Sequence, residues 1–98
     1  MHLIFRARRL ERAFRDPAFA VRLWGADVGS RYEQRLNIIQ AQTDWNRLFL
    51  FRALNLHPLR GDRAGQFALR LTGRWRLIVK PGTSPTQVRI MSVEDYHA

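Results

Sequence analysis

Phe67, Leu69 and Leu71 alternate with Ala68 and Arg70, and beyond a glycine turn Trp75, Leu77 and Val79 alternate with Arg76, Ile78 and Lys80. A period of two marks a strand with one buried face, so the two runs predict an antiparallel hairpin. Chemistry selects its register. A two-residue Gly73-Arg74 loop would set Leu71 against Arg76 and bring that guanidinium onto the face of Phe67 and Leu69. A three-residue Thr72-Gly73-Arg74 loop sets Leu71 against Trp75, and only this pairing keeps each face uniform. One face then carries Phe67, Leu69, Leu71, Trp75, Leu77 and Val79. The other presents Arg70, Arg76 and Lys80 beside Ala68 and Ile78, a basic stripe on a rigid sheet.

The apolar face needs a cover, and the N-terminal half supplies helices for it. His2 to Phe5 reads as a short strand, and Leu10, Ala13 and Phe14 place helical spacing on Arg8 to Phe14. Asp16 before Pro17 is an N-cap and first-position pair, which predicts a second helix from Pro17 to Trp24, closed by Gly25. Asp27 is a candidate cap for a third. Val28, Tyr32, Leu36 and Ile39 then recur at spacings of 4, 4 and 3, an amphipathic helix of about four turns. Residues 44–56 read as a turn followed by an irregular extended segment, since Phe49, Phe51, Leu54 and Leu56 alternate imperfectly. Leu59 to Gly65 reads as an ordered loop, Pro81 to Pro85 as a turn and Gln87 to Val93 as a last strand. The expected class is α+β, with two or three N-terminal helices packed on one face of a small, mainly antiparallel sheet and the basic face left open.

A chain of 98 residues is expected to form one domain around one core. Its longest apolar runs fall well short of the ~20 residues that cross a bilayer. The Arg-rich start, Arg6 to Arg15, lacks the apolar core of a secretory signal, so a cytoplasmic protein without membrane association is expected. The chain has no cysteine, which excludes disulfides, cysteine zinc sites and a thiolate nucleophile. Net charge is +9, and all but Lys80 of the 17 basic residues are Arg, whose planar fork suits bidentate phosphate contacts. A polyanion or an acidic partner is therefore expected.

RNA can be cut without a metal when one group takes the 2′-OH proton, another protonates the departing 5′ oxygen, and fixed cations stabilise the phosphorane. His57 and His97 carry the side chain suited to proton transfer near neutrality. Arg60, Arg70 and Arg76 are candidate phosphate clamps. Asp95 is placed to orient or charge-stabilise an imidazole, and Tyr96 to stack on a base or donate a proton. The spacing of His57, Asp95 and His97 matches no metal-ligand motif, so neither metal nor cofactor is expected. Each residue also has a plain structural role open to it: His57 as the end of an extended segment, the C-terminal tripeptide as a tail, and the strand arginines as solvated cations.

Three blocks decide between these roles. Leu56-His57-Pro58-Leu59-Arg60-Gly61-Asp62-Arg63-Ala64-Gly65-Gln66-Phe67, then Arg74-Trp75-Arg76-Leu77-Ile78, then Val93-Glu94-Asp95-Tyr96-His97 occur in that order. Together they resemble the HigB toxins of the RelE/ParE superfamily, over residues 54 to 97. The resemblance implies a RelE-like fold and a ribosome-dependent endoribonuclease that cuts mRNA during translation. It further implies neutralisation by a helix-turn-helix antitoxin. It places the functional residues on His57, Asp95, Tyr96 and His97, with Arg76 as the arginine of a tryptophan-arginine pair. Arg60 stands where those toxins have lysine, which keeps the charge and changes the geometry, so a clamp suits it better than proton transfer. The N-terminal half departs more from that pattern. A non-nucleolytic ParE-like toxin that binds DNA gyrase would need the same fold and charge but no terminal histidine.

Overall fold

The structure, a computed structural model, describes residues 1–96. His97 therefore lies outside the described residues. In chain order the elements are β1 (His2–Phe5), α1 (Arg8–Arg15), α2 (Pro17–Trp24), α3 (Ala26–Ala41), β2 (His57–Pro58), β3 (Phe67–Arg70), β4 (Trp75–Pro81) and β5 (Gln87–Asp95), with 3-10 turns at Trp45–Leu50, Arg52–Leu54 and Gly61–Arg63. The five strands form one sheet in the order β1-β5-β4-β3-β2, in which β1 runs parallel to β5 and every other pairing is antiparallel.

The hairpin has the chemically uniform register. Leu69 pairs with Leu77 and Arg70 with Arg76, and the Leu71 amide donates to the Trp75 carbonyl at 3.0 Å, closing the Thr72-Gly73-Arg74 loop. One side of the sheet, with Leu3, Phe5, Leu69, Leu71, Leu77, Val79, Val88 and Ile90, packs in one hydrophobic cluster with Leu10, Ala13, Ala20, Val28, Tyr32, Leu36 and Ile39 of the helices. An irregularity between Ile78 and Val79 shifts the pairing from Ser92 to Ile90, leaving Met91 as the extra residue of β5. The extra residue flips the alternation of β5, so that Val88, Ile90 and Val93 all face the helices.

The helices begin and end for identifiable reasons. Asp16 caps α2 through the Phe19 amide at 3.4 Å, with Pro17 at the first helical position. Asp27 is not a cap: Gly25 holds that position for α3, and Asp27 sits in its first turn, where its negative charge is stabilised by the positive end of the helix dipole. Gly29 of α3 is buried against the Ala20 backbone of α2, where an added Cβ would stand only 3.2 Å from two backbone atoms. Tyr32 is fully buried and spends its one polar atom on the Leu10 carbonyl at 2.6 Å, tying α3 to α1.

Residues 44–56 depart from the extended reading. They form two consecutive 3-10 turns, the first capped by Asp44 on the Asn46 amide at 3.0 Å. Trp45, Leu48, Phe51 and Leu54 recur every third residue, which is the 3-10 period, and Leu48 and Leu54 are fully buried. Phe49 and Leu50 are exposed instead, with Phe49 held edge-on against Trp45 and Phe67. Among the described residues no helix is long and apolar enough to cross a membrane.

Candidate functional site

The outer face of the sheet collects most of the residues singled out by chemistry. His57 pairs with Ala68, and Arg70, two residues on, pairs with Arg76, which in turn pairs with Glu94, two residues before Tyr96. Paired residues share a face, so His57, Arg70, Arg76 and Tyr96 form a diagonal across four strands, roughly 19 Å from end to end at ordinary strand spacing and rise. Asp95 belongs to the other set. It pairs with Trp75, and its carboxylate meets the Arg74 guanidinium in a two-pronged contact, Nε to Oδ1 at 3.0 Å and Nη2 to Oδ2 at 2.6 Å. That fork holds the end of β5 against the hairpin turn. His97 lies beyond the described residues, so the structure bears only on the approach to it: the Tyr96 amide donates to the Arg74 carbonyl at 2.5 Å, fixing the chain at the top of β4.

His57 is exposed on the short edge strand, and its Nδ1 lies 2.9 Å from the Asn55 carbonyl. A carbonyl only accepts, so Nδ1 is the donor of this bond, and the tautomer it selects in a neutral ring has its lone pair on Nε2. Asn55 presents that carbonyl from a left-handed conformation, φ 45 and ψ 47, that joins the second 3-10 turn to β2. Asparagine is among the few side chains that tolerate this region.

Arg76 is half-buried, and its Nη1 donates to the Thr72 carbonyl at 2.6 Å and the Trp75 carbonyl at 3.0 Å. These bonds fix the guanidinium beside the turn, with its carbon 5.6 Å from the centre of the Tyr96 ring. The result is a cation backed by an aromatic face. Arg70 is exposed at the end of β3, and Arg60 is exposed at the entry to the Gly61–Arg63 turn.

The basic face is not left open as the sequence implied. Ala68 and Ile78, on that side, are fully buried. The loop of residues 59–66 is tied to that side, where the Arg63 guanidinium grips Glu94 of β5 at 2.7 and 2.9 Å. Gly61 and Gly65, with φ of 68° and 91°, supply the backbone conformations that fold this loop back. Arg63 and Glu94 were missed by sequence reasoning because they are 31 residues apart and obey no local period. The bond from Arg63, reinforced by Ser92 Oγ at 2.6 Å, holds the Glu94 carboxyl below its ordinary range against the opposing effect of burial. Glu94 is thus a fixed anion rather than a proton donor near neutrality.

That depressed value carries a stability consequence. The pair contributes in full above the unfolded carboxyl value, near 4.3, and its contribution disappears as pH falls through the lower folded value. Urea midpoints measured from pH 7 down to pH 3 should converge for the native chain and Glu94→Gln, the native chain being more stable only at the upper end. An equal gap at both ends would contradict the pairing.

Among the described residues no group of three or more histidine or carboxylate side chains is placed to hold one metal ion. A cleft of about 820 Å³ opens beside the sheet, between α3, the second 3-10 turn and the β3-β4 turn, and Arg70 forms part of its rim.

No protein-family model matches the sequence, and no curated protein matches it. Solved structures do. The YoeB/ParE toxin from Agrobacterium tumefaciens superposes with a TM-score of 0.66 at 16% identity, over 99% of this chain and 100% of that one. A YafQ variant from E. coli gives 0.64 at 15% identity over 95% and 90%, and the YoeB-YefM complex from Staphylococcus aureus gives 0.60 at 16% over 100% and 98%. The chain therefore has the RelE-like toxin fold: N-terminal helices against a mixed, mostly antiparallel five-stranded sheet.

Proposed function

We propose that this chain is an endoribonuclease toxin of a toxin-antitoxin pair, which cuts translated mRNA on the ribosome by metal-independent attack of the ribose 2′-OH. The observation that carries this reading is the shared outer face of His57, Arg70, Arg76 and Tyr96, with His57 Nδ1 engaged by the Asn55 carbonyl. The fold is one found in toxins, and the S. aureus relative is described in complex with a second protein, YefM, which supports a cognate antitoxin here. The resemblance to HigB toxins makes that antitoxin a helix-turn-helix protein and the cytoplasm the place of action.

His57 Nε2 takes the 2′-OH proton, the 2′ oxygen attacks phosphorus in line, and the bond to the 5′ oxygen breaks as that oxygen is protonated. The products are a 2′,3′-cyclic phosphate and a 5′-hydroxyl. Arg70 and Arg76 neutralise the phosphorane, with Arg60 guiding the strand from the loop. Tyr96 stacks on a base next to the scissile bond, and His97 serves as the acid. Asp95, through its fork with Arg74, anchors the segment that delivers them. The ribosome aligns the substrate, and positioning of that kind is worth ~7 to 11 kcal/mol. A small protein with few reactive groups can therefore suffice.

Addition of the purified protein to a translation system should produce mRNA cuts within codons, mapped by primer extension. Arg76→Ala should slow cleavage by about 10²- to 10³-fold, the usual effect of removing one fixed group that stabilises developing negative charge. Intact message at high protein load, together with inhibition of gyrase supercoiling, would replace this reading with a ParE-like one.

A further inference from the structure

The cleft beside the sheet has a composition that the cleavage chemistry does not require. Arg31, Arg35, Arg52 and Arg70 line it, with Asp27 as the one carboxylate among the described residues of its wall. Arg35 is 5% exposed, an unusual burial for a guanidinium. It is held by donation from Nε to the Arg70 carbonyl at 3.1 Å and from Nη1 to Gln34 Oε1 at 2.8 Å, both neutral acceptors. Burial first, and then the neighbouring Arg31, lower its pKa.

The cleft is also continuous with the candidate site. Arg70 belongs to both surfaces, and Asn55, whose carbonyl orients His57, is part of the cleft wall. We infer that this cleft binds the phosphodiester backbone of RNA next to the cleaved segment, with the exposed Arg31 and Arg52 taking phosphates that follow those held by Arg70 and Arg76, and the buried Arg35 adding its charge to the wall. The inference rests on the RNA-directed reading of the sheet face. It adds a second anchoring surface that gives strand polarity and grip without touching the reacting atoms. A single strand can bend from the exposed arginines of the sheet into the cleft, and guanidinium forks match phosphate oxygens two at a time.

Binding of a fluorescent ten-nucleotide 2′-O-methyl RNA, which lacks the attacking hydroxyl, tests this independently of cleavage. The exposed pair is replaced in Arg31→Ala/Arg52→Ala, with Arg31→Gln/Arg52→Gln as a milder second variant and Arg22→Ala, outside the cleft, as a charge control. Each lost phosphate contact lowers the slope of log affinity against log salt by ~0.7, so the double variants should lose about 1.4 while Arg22→Ala keeps the native slope. Vacant ribosomes, offered in place of the oligonucleotide, separate the two sources of RNA: weakened oligonucleotide binding assigns the cleft to the message, and weakened ribosome binding alone assigns it to ribosomal RNA. Native slopes with both RNAs would overturn the inference, and a simultaneous loss of decaglutamate binding would give the cleft to an acidic protein segment. Cleavage of message by a chain whose cleft variants bind RNA normally would reject the cleft and retain the nuclease; cleft-dependent RNA binding without cleavage would do the reverse.

Discussion

His57→Ala is expected to reduce mRNA cleavage by about 10²- to 10⁴-fold, the range for loss of a positioned general acid or base. The fold should survive the change. The ring is exposed on a two-residue edge strand, and its hydrogen bond goes to the local Asn55 carbonyl rather than to the core. Thermal midpoints of variant and native chain should therefore agree within a few degrees, which separates a chemical loss from unfolding. His57→Gln adds a sharper test: an amide can keep a bond to the Asn55 carbonyl and still lacks a titrating base, so it should be as inactive as alanine. Recovery of activity in that variant would mean that His57 only shapes the edge of the sheet.

Leu77→Ala is expected to remove ~3 to 4 kcal/mol of folding stability, within the range for buried leucine truncations. Leu77 lies in the middle strand, is fully buried, and is flanked by Leu69 on one side and Val93 on the other. Relaxation into the space it leaves is restricted by strands on both sides and helices above. A chain of this size has only about 5 to 15 kcal/mol in total, so urea unfolding should show a much lower midpoint with an unchanged slope. A loss below about 1 kcal/mol would mean that the central strand does not anchor the core, a cost far under that of typical buried leucines.

The hairpin was legible because two alternating runs and one glycine leave a single register that segregates apolar from basic side chains. The third helix was legible from Val28, Tyr32, Leu36 and Ile39 for the same kind of reason. Arg35 was not singled out, because a guanidinium next to the apolar stripe reads as a solvated residue, and the structure buries it. The 3-10 turns escaped because a period of three at Trp45, Leu48, Phe51 and Leu54 competes with a partial alternation at Phe49, Phe51 and Leu54. Local pattern cannot rank the two when the deciding contacts, such as Trp45 on Phe67, are distant in sequence.

The site divides in the same way. His57, Arg70, Arg76 and Tyr96 were identifiable by residue type, and the sheet register brings them to one face. The tie between Arg63 and Glu94 on that face was not, because an ion pair across 31 residues depends on the assembled sheet. Asp95 illustrates the limit of alternation most directly. One position separates it from Glu94, and that position sends its carboxylate to Arg74 instead of to the basic face.

The chemistry of the cut ends tests the central claim most directly. RNA fragments released during translation with the native chain, in the presence of EDTA at a concentration the ribosomes tolerate, would be analysed by mass spectrometry. A 2′,3′-cyclic phosphate facing a 5′-hydroxyl is the predicted result, since only attack by the neighbouring 2′ oxygen, deprotonated by a group such as His57 Nε2, produces that pair. A 3′-hydroxyl facing a 5′-phosphate, the signature of attack by water on the other side of phosphorus, would contradict it.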